Sequence, residues 1–132
     1  MISTKGRYAL RVMIDLAEHN DEPTPLKEIA ERQEISKKYL EIIVKDLVGA
    51  RLVRGCSGKG GGYRLCRRPE DYTVGEILTA AEGPFTTVAC LSENADACPR
   101  AARCKTLPLW SEMDRLIHDY LFSKRLSDLL CE

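Results

Sequence analysis

Three cysteines, Cys90, Cys98 and Cys104, follow one another with seven and then five residues between them. Thiolates so placed are soft ligands, suited to an iron–sulfur cluster, zinc or copper(I). A structural zinc site usually shows Cys-x2-4-Cys pairs, and the chain has none. Three ligands are one fewer than common clusters use. A catalytic thiol needs a neighbouring base, and the two histidines, His19 and His118, stand in no recognisable arrangement with these residues. Spacing alone leaves open a metal- or cluster-binding loop and a set of unmetallated or redox-active thiols. Of the other cysteines, Cys66 and Cys131 read as incidental. Cys56, inside a glycine-rich segment, is a possible redox thiol.

A second chemistry-bearing set is Ser36, Lys37, Lys38, Tyr39, Glu41 and Lys45, followed by Ser57, Lys59 and Gly60. Two helices and a hairpin must position it. Thr24 reads as an N-cap with Pro25 at the first helical position. Leu26, Ile29 and Ala30 then share one face. Gln33-Glu34-Ile35 reads as a tight turn and Ser36 as the N-cap of a second helix, on which Leu40, Ile43, Val44 and Leu47 recur at i, i+3, i+4 and i+7. Ser36, Lys37, Lys38, Glu41 and Lys45 are left facing outward. This is the pattern of a helix-turn-helix, whose second helix enters the major groove. Leu52-Val53-Arg54 and Tyr63-Arg64-Leu65 read as two short strands around a loop, Gly55 to Gly62, too glycine-rich for helix. A hairpin in that place is the wing of a winged helix. The loop is no nucleotide cradle: Gly61 stands where a P-loop needs lysine, and Tyr63 where G-x-G-x-x-G needs its last glycine.

The 132 residues suit one domain, and ordinary charged and apolar fractions indicate a globular protein. Net charge is zero, but its distribution is not even. Residues 1–68 carry 14 Lys/Arg against 9 Asp/Glu, which is +5; residues 69–132 carry 6 against 11, which is −5. A basic half suits nucleic acid, and the acidic half needs another task. The opening residues show no uninterrupted apolar signal region, and no apolar run approaches the roughly 20 residues that span a bilayer. The expectation is a cytoplasmic protein with no membrane partner, in which cysteines serve as thiols or ligands.

Thr4 to about Glu18 reads as a first helix, with Ala9, Leu10, Met13, Leu16 and Ala17 apolar and with Lys5 and Arg7 solvated or touching phosphate. His19 falls in a polar connector. Arg67 to Asp71 reads as a linker, and Thr73-Val74-Gly75-Glu76 as a capping box opening a helix to about Glu82, ended by Gly83-Pro84. Leu107 to about Phe122 is the longest periodic stretch. Leu109, Met113, Leu116 and Tyr120 make a seam that Trp110, Ile117 and Leu121 widen, which predicts a symmetric dimer. Twofold symmetry would set two recognition helices roughly 34–36 Å apart, one DNA turn. Leu126, Leu129 and Leu130 suggest a short final helix folded back.

Taken together, these residues resemble the family of IscR, NsrR and CymR, bacterial winged-helix regulators often called Rrf-two. The resemblance covers nearly the whole chain. It runs through Ser3 to Leu10, Ile29 to Gln33, Ile35-Ser36, Tyr39-Leu40-Glu41, Gly60 to Leu65 and Val74 to Ile77, and on to the cysteines, with Cys104 six residues before Trp110. It is closest to the IscR-like branch. That implies a DNA-binding dimer with an iron–sulfur cluster, [2Fe–2S] ahead of [4Fe–4S], held by Cys90, Cys98 and Cys104 and a further ligand. It also implies that Glu41 helps select the operator, as a carboxylate accepting from cytosine N4 would. Two departures stand out. The first cysteine gap is longer than the family's usual one. Leu107 occupies the place of the IscR histidine ligand and Tyr8 that of the NsrR aspartate, leaving the fourth ligand open among His118, Glu93, Asp96 and a thiol. In the wing, Ser57 stands where IscR has an arginine, with Lys59 two residues on.

The expected fold is mainly helical with one small β-hairpin: a winged helix-turn-helix over residues 1–68, and a cysteine loop and dimerisation region over 69–132. The expected function is a DNA-binding transcriptional regulator, read as a repressor, that senses a cluster, redox state or related signal. A cluster-free regulator under a partner protein, small ligand or thiol oxidation is the first rival, and a winged helix used only for protein contacts the second. No acid–base pair or nucleophile constellation points to an enzyme.

Overall fold

A computed structural model describes residues 2–84, 86, 91 and 101–130. Five α-helices and one hairpin make up the regular structure: α1 (Thr4–Glu18), α2 (Leu26–Gln33), α3 (Lys37–Gly49), β1 (Val53–Cys56), β2 (Gly62–Leu65), α4 (Val74–Glu82) and α5 (Leu107–Ser123). Single 3-10 turns occupy Pro69–Asp71, Ala101–Arg103 and Leu126–Leu129. This is the mainly helical winged-helix arrangement that the periodicity predicts.

Local chemistry explains the boundaries. Ser3 accepts from the Gly6 N–H to open α1, and Ser36 accepts from the Tyr39 N–H at 3.2 Å to open α3. Thr73 and Glu76 form the reciprocal capping box at α4. Thr24 is a correction. Pro25 itself is the N-cap of α2 and the helix begins at Leu26. A residue before proline is pushed to extended backbone, and Thr24 uses it to pair with the wing. Its N–H donates to the Tyr63 carbonyl and the Tyr63 N–H to its own, both at 2.8 Å. The strands also run further into the glycine segment than side-chain pattern predicts, because backbone ladders need no side chains. Val53 pairs with Leu65 and Cys56 with Gly62, leaving a tip of Ser57 to Gly61.

The core is continuous across the midpoint of the chain. Ala9, Val12, Met13 and Leu16 of α1 meet Ile29, Leu40, Ile43, Leu47, Val53 and Leu65, and also Tyr72, Ile77 and Leu126. Tyr72, fully buried, ties the exit of the wing to this core. Its hydroxyl donates to the Leu52 carbonyl at 2.6 Å and accepts from the Cys66 and Arg67 N–H groups at 2.9 Å each. Burial raises the Tyr72 phenol above its ordinary range.

Candidate nucleic-acid interface

The helix expected to act as the recognition helix is α3. It is held from beneath by α1 and entered through a turn under conformational tension. Glu34, which caps α2, sits in the left-handed region at φ 54°, and the buried Ile35 anchors the turn. Asp15 of α1, 1% exposed, accepts from Arg32 Nη2 at 2.8 Å, Arg32 Nε at 3.0 Å and Gln33 Nε2 at 2.9 Å. Burial by itself would raise this carboxyl. The hydrogen bonds from Arg32 and Gln33, with the charge of Arg32, outweigh it and hold the group below its usual range. Arg11 donates to the Gln33 carbonyl as well. Lys5, one-third exposed, also reaches α3: its Nζ lies 2.5 Å from Asp46.

On this support Ser36, Lys37, Lys38, Glu41 and Lys45 are all exposed, opposite the buried row Leu40, Ile43, Val44 and Leu47. Among the described residues, Lys37, Lys38, Glu41 and Lys45 form no salt bridge. Tyr39 is half-buried and packs edge-on against Tyr8, ring centroids 5.7 Å apart, so much of it serves the scaffold. The wing stands beside α3, with Ser57, Lys59 and Gly60 exposed at its tip. Gly62 allows it to do so. Its φ is 154°, and a Cβ there would run into the Thr24 backbone. Cys56 is half-exposed at the end of β1, across from Gly62, which offers no side chain to shield it.

Of the three proposed cluster cysteines, only Cys104 falls among the described residues. Cys90 and Cys98 lie outside them, as do Glu93 and Asp96. Cys104 is half-buried just before α5, its Sγ 3.3 Å from Thr106 Oγ1. Among the described residues no group of three His, Cys, Asp or Glu could hold a metal ion. His118 lies three turns along α5, about 16 Å from its start at 1.5 Å per residue. Its ring stacks on Phe122 instead, centroids 4.4 Å apart. No residue of α5 is buried. Leu109 (58%), Leu116 (56%) and Tyr120 (62%) lie open along the seam predicted for a partner.

Comparison with known proteins agrees with this geometry. Residues 2–132 match the Rrf2 family model, described as an iron-dependent transcriptional regulator. The chain belongs to the Rrf2 family. Protein rrf2 of Nitratidesulfovibrio vulgaris is 38% identical over 130 residues, 98% of this chain and 86% of that one. The HTH-type transcriptional regulator IscR of Aliivibrio salmonicida is 36% identical over 132 residues, 99% and 77% of the two chains. The structure of CymR, the global cysteine regulator of B. subtilis, superposes with a TM-score of 0.78 at 38% identity, covering 98% of this chain and 95% of its own. The protein is thus an Rrf2-family transcriptional regulator of the winged-helix, DNA-binding kind, and its relatives are regulators rather than enzymes. No helix among the described residues is long and apolar enough to cross a membrane.

One feature of the wing in this Rrf2 chain shows only in the strand register. Register places Arg54 directly across from Arg64. Val53, Gly55, Tyr63 and Leu65 take the alternate positions, with Val53 and Leu65 buried, so both arginines face away from the core. Like charges directly opposite are destabilising. Arg64 is steadied by donating to the Asn20 carbonyl at 3.1 Å, whereas Arg54 is exposed. Period-two alternation outward from Val53 and Leu65 is the signal that finds the pair.

Proposed function

We propose that this Rrf2 regulator acts in the cytoplasm as a homodimeric repressor. In this reading α3 and the wing read a double-stranded operator, and the loop bearing Cys90, Cys98 and Cys104 is the sensor. The observation that carries the operator half is the exposed row Lys37, Lys38, Glu41 and Lys45, capped by Ser36 and flanked by Lys59 on a glycine tip. The lysines neutralise phosphates and position the helix, while Glu41 discriminates by accepting from cytosine N4. Ser57 and Gly60 let the tip approach the backbone closely, and Tyr39 holds the N-terminal end of α3 in place. The open seam of α5 supports the homodimer.

For the sensor, the donor set fits an iron–sulfur cluster in kind, being three thiols. Cys104 stands ahead of the N-terminal end of α5, whose positive dipole end favours a thiolate. Cys90, Cys98 and Cys104 would hold a [2Fe–2S] cluster, which when bound makes the loop responsive to iron supply and redox state. The family's description as iron-dependent and the 36% identity to IscR support this. The likeness to CymR favours a second reading, a cluster-free regulator in which thiol oxidation is the signal, with half-exposed Cys56 in the wing as its candidate. An absorption spectrum with iron and sulfide assays on anaerobically purified protein separates them. Broad bands between roughly 320 and 450 nm, typical of thiolate-bound clusters, with stoichiometric iron and sulfide and their loss in Cys98→Ala, are expected. Protein that stays colourless after reconstitution yet still binds DNA overturns the cluster and leaves the thiol reading.

A further inference from the structure

Ile42 breaks the pattern of α3. Its helical neighbours on the outward face are Lys38, four residues earlier, and Lys45, three residues later, both exposed. With Leu40, Ile43, Val44 and Leu47 buried, steps of about 100° per residue put Lys38, Ile42 and Lys45 together at the centre of the opposite face. Ile42 keeps 49% of its surface exposed there. Single exposed apolar residues are ordinary, so the placement has to carry the argument. The next exposed apolar residue of the helix, Val48, is six residues on and about 120° round, so the two do not merge into the patch a protein partner would need. Around Ile42 stand Lys38 and Lys45, half-buried Tyr39 three residues earlier, Glu41 beside it in sequence, and Asp46 four residues later, whose charge Lys5 offsets at 2.5 Å. That setting suits a polyanion that carries one small apolar group.

The DNA major groove supplies such a group, the C5-methyl of thymine, which apolar side chains contact and no other base presents. Isoleucine is suited to reading it, because β-branching leaves one strongly preferred χ1 in a helix and holds its methyl groups in fixed directions. We propose that Ile42 is a specificity-determining residue that selects a thymine through its 5-methyl group in each operator half-site. This rests on the operator-reading function proposed above.

The test begins with selection of bound duplexes from a random pool by the full chain. Each thymine of the enriched half-site is then replaced in turn by deoxyuridine, which removes the methyl group alone, and affinity is measured by fluorescence anisotropy. One replacement is expected to weaken wild-type binding about fourfold, the value of one buried methyl-sized group. Ile42→Ala is expected to bind the thymine and uracil duplexes equally. Ile42→Gln, whose amide suits adenine, is expected to change the preferred base at that position. Deoxyuridine losses that persist in Ile42→Ala, or none in the wild type, overturn the proposal while operator reading by α3 stands. A pool in which no sequence is enriched overturns both.

Discussion

Replacing Asp15 by Asn tests how the recognition helix is held. The wild-type carboxylate accepts three hydrogen bonds, two from Arg32 and one from Gln33, at 2.8 to 3.0 Å. An asparagine of the same size has one oxygen, so at least one donor then faces an amide NH2. Each charge-assisted bond contributes about 1.5–3 kcal/mol. The Arg32 side chain is 34% exposed and has Glu28 at 3.7 Å, so it recovers part of its solvation and the lower end of that range applies. About 2–3 kcal/mol of lost stability at pH 7 is expected for the two bonds at risk, read by urea unfolding followed by circular dichroism. The pH dependence follows from the depressed carboxyl. A group with a folded pKa below its unfolded value stabilises the fold above the unfolded pKa, near 3.9. That contribution is lost as pH falls through the folded value. The gap between wild type and Asp15→Asn is therefore constant from pH 8 down to about 5 and narrows below about 4. A gap under about 0.5 kcal/mol at pH 7, or one equally wide at pH 3, would refute the argument.

Three other expectations can be checked directly. Lys38→Ala with Lys45→Ala weakens binding almost uniformly across DNA sequences and lowers the salt slope by about 1.8 per protomer; an unchanged slope in a salt titration means neither lysine reaches phosphate. Leu116→Glu, at a position 56% exposed in the single chain, leaves far-UV dichroism intact but converts dimer to monomer in sedimentation velocity; a monomeric wild type would exclude the α5 seam as an interface. Gly62→Ala forces a side chain into the Thr24 backbone at φ 154° and costs about 2–4 kcal/mol, so a midpoint equal to wild type in urea would show that the Thr24–Tyr63 pairing is dispensable.

Much of the scaffold was legible because its signals are local and redundant. Ser36 and Thr73 are caps followed by apolar rows of the right period, and both helices open where those residues stand. Thr24 was misread because Thr-Pro carries two compatible meanings. A Thr N-cap and an extended pre-proline residue look alike until the partner strand is known, and Tyr63 is 39 residues away. Lys5 and Asp15 were invisible for the same reason. Each is satisfied by a residue on another helix, Asp46 and Arg32, and no periodicity encodes such a pairing. In the set proposed to face DNA, the polar residues are chosen by type and by their place outside the apolar row. Ile42 reads as core from sequence, because an apolar residue in a helix does so until the buried face has been drawn.

The two ends of the molecule differ in how much of their order is internal. On one side α3 buries four side chains, rests on a fully hydrogen-bonded Asp15, is tied to α1 through Lys5, and stands beside a wing that Thr24 and Tyr72 fasten in place. Such a reading head is rigid before it meets DNA, so little ordering cost is left for binding. On the other side α5 runs 17 residues without burying one. Its Phe122 ring packs against Gly75, beside a cavity of about 270 Å³ lined by Leu78, Pro84 and Leu121. Helices of that length are marginal in water unless an apolar face is packed. In the half that carries net −5, α5 leaves its apolar seam open among the described residues, and Cys104 sits at the head of that same helix. In the sensor reading proposed above, a change at the thiol acts on this open helix, and its effect is read by α3 and the wing.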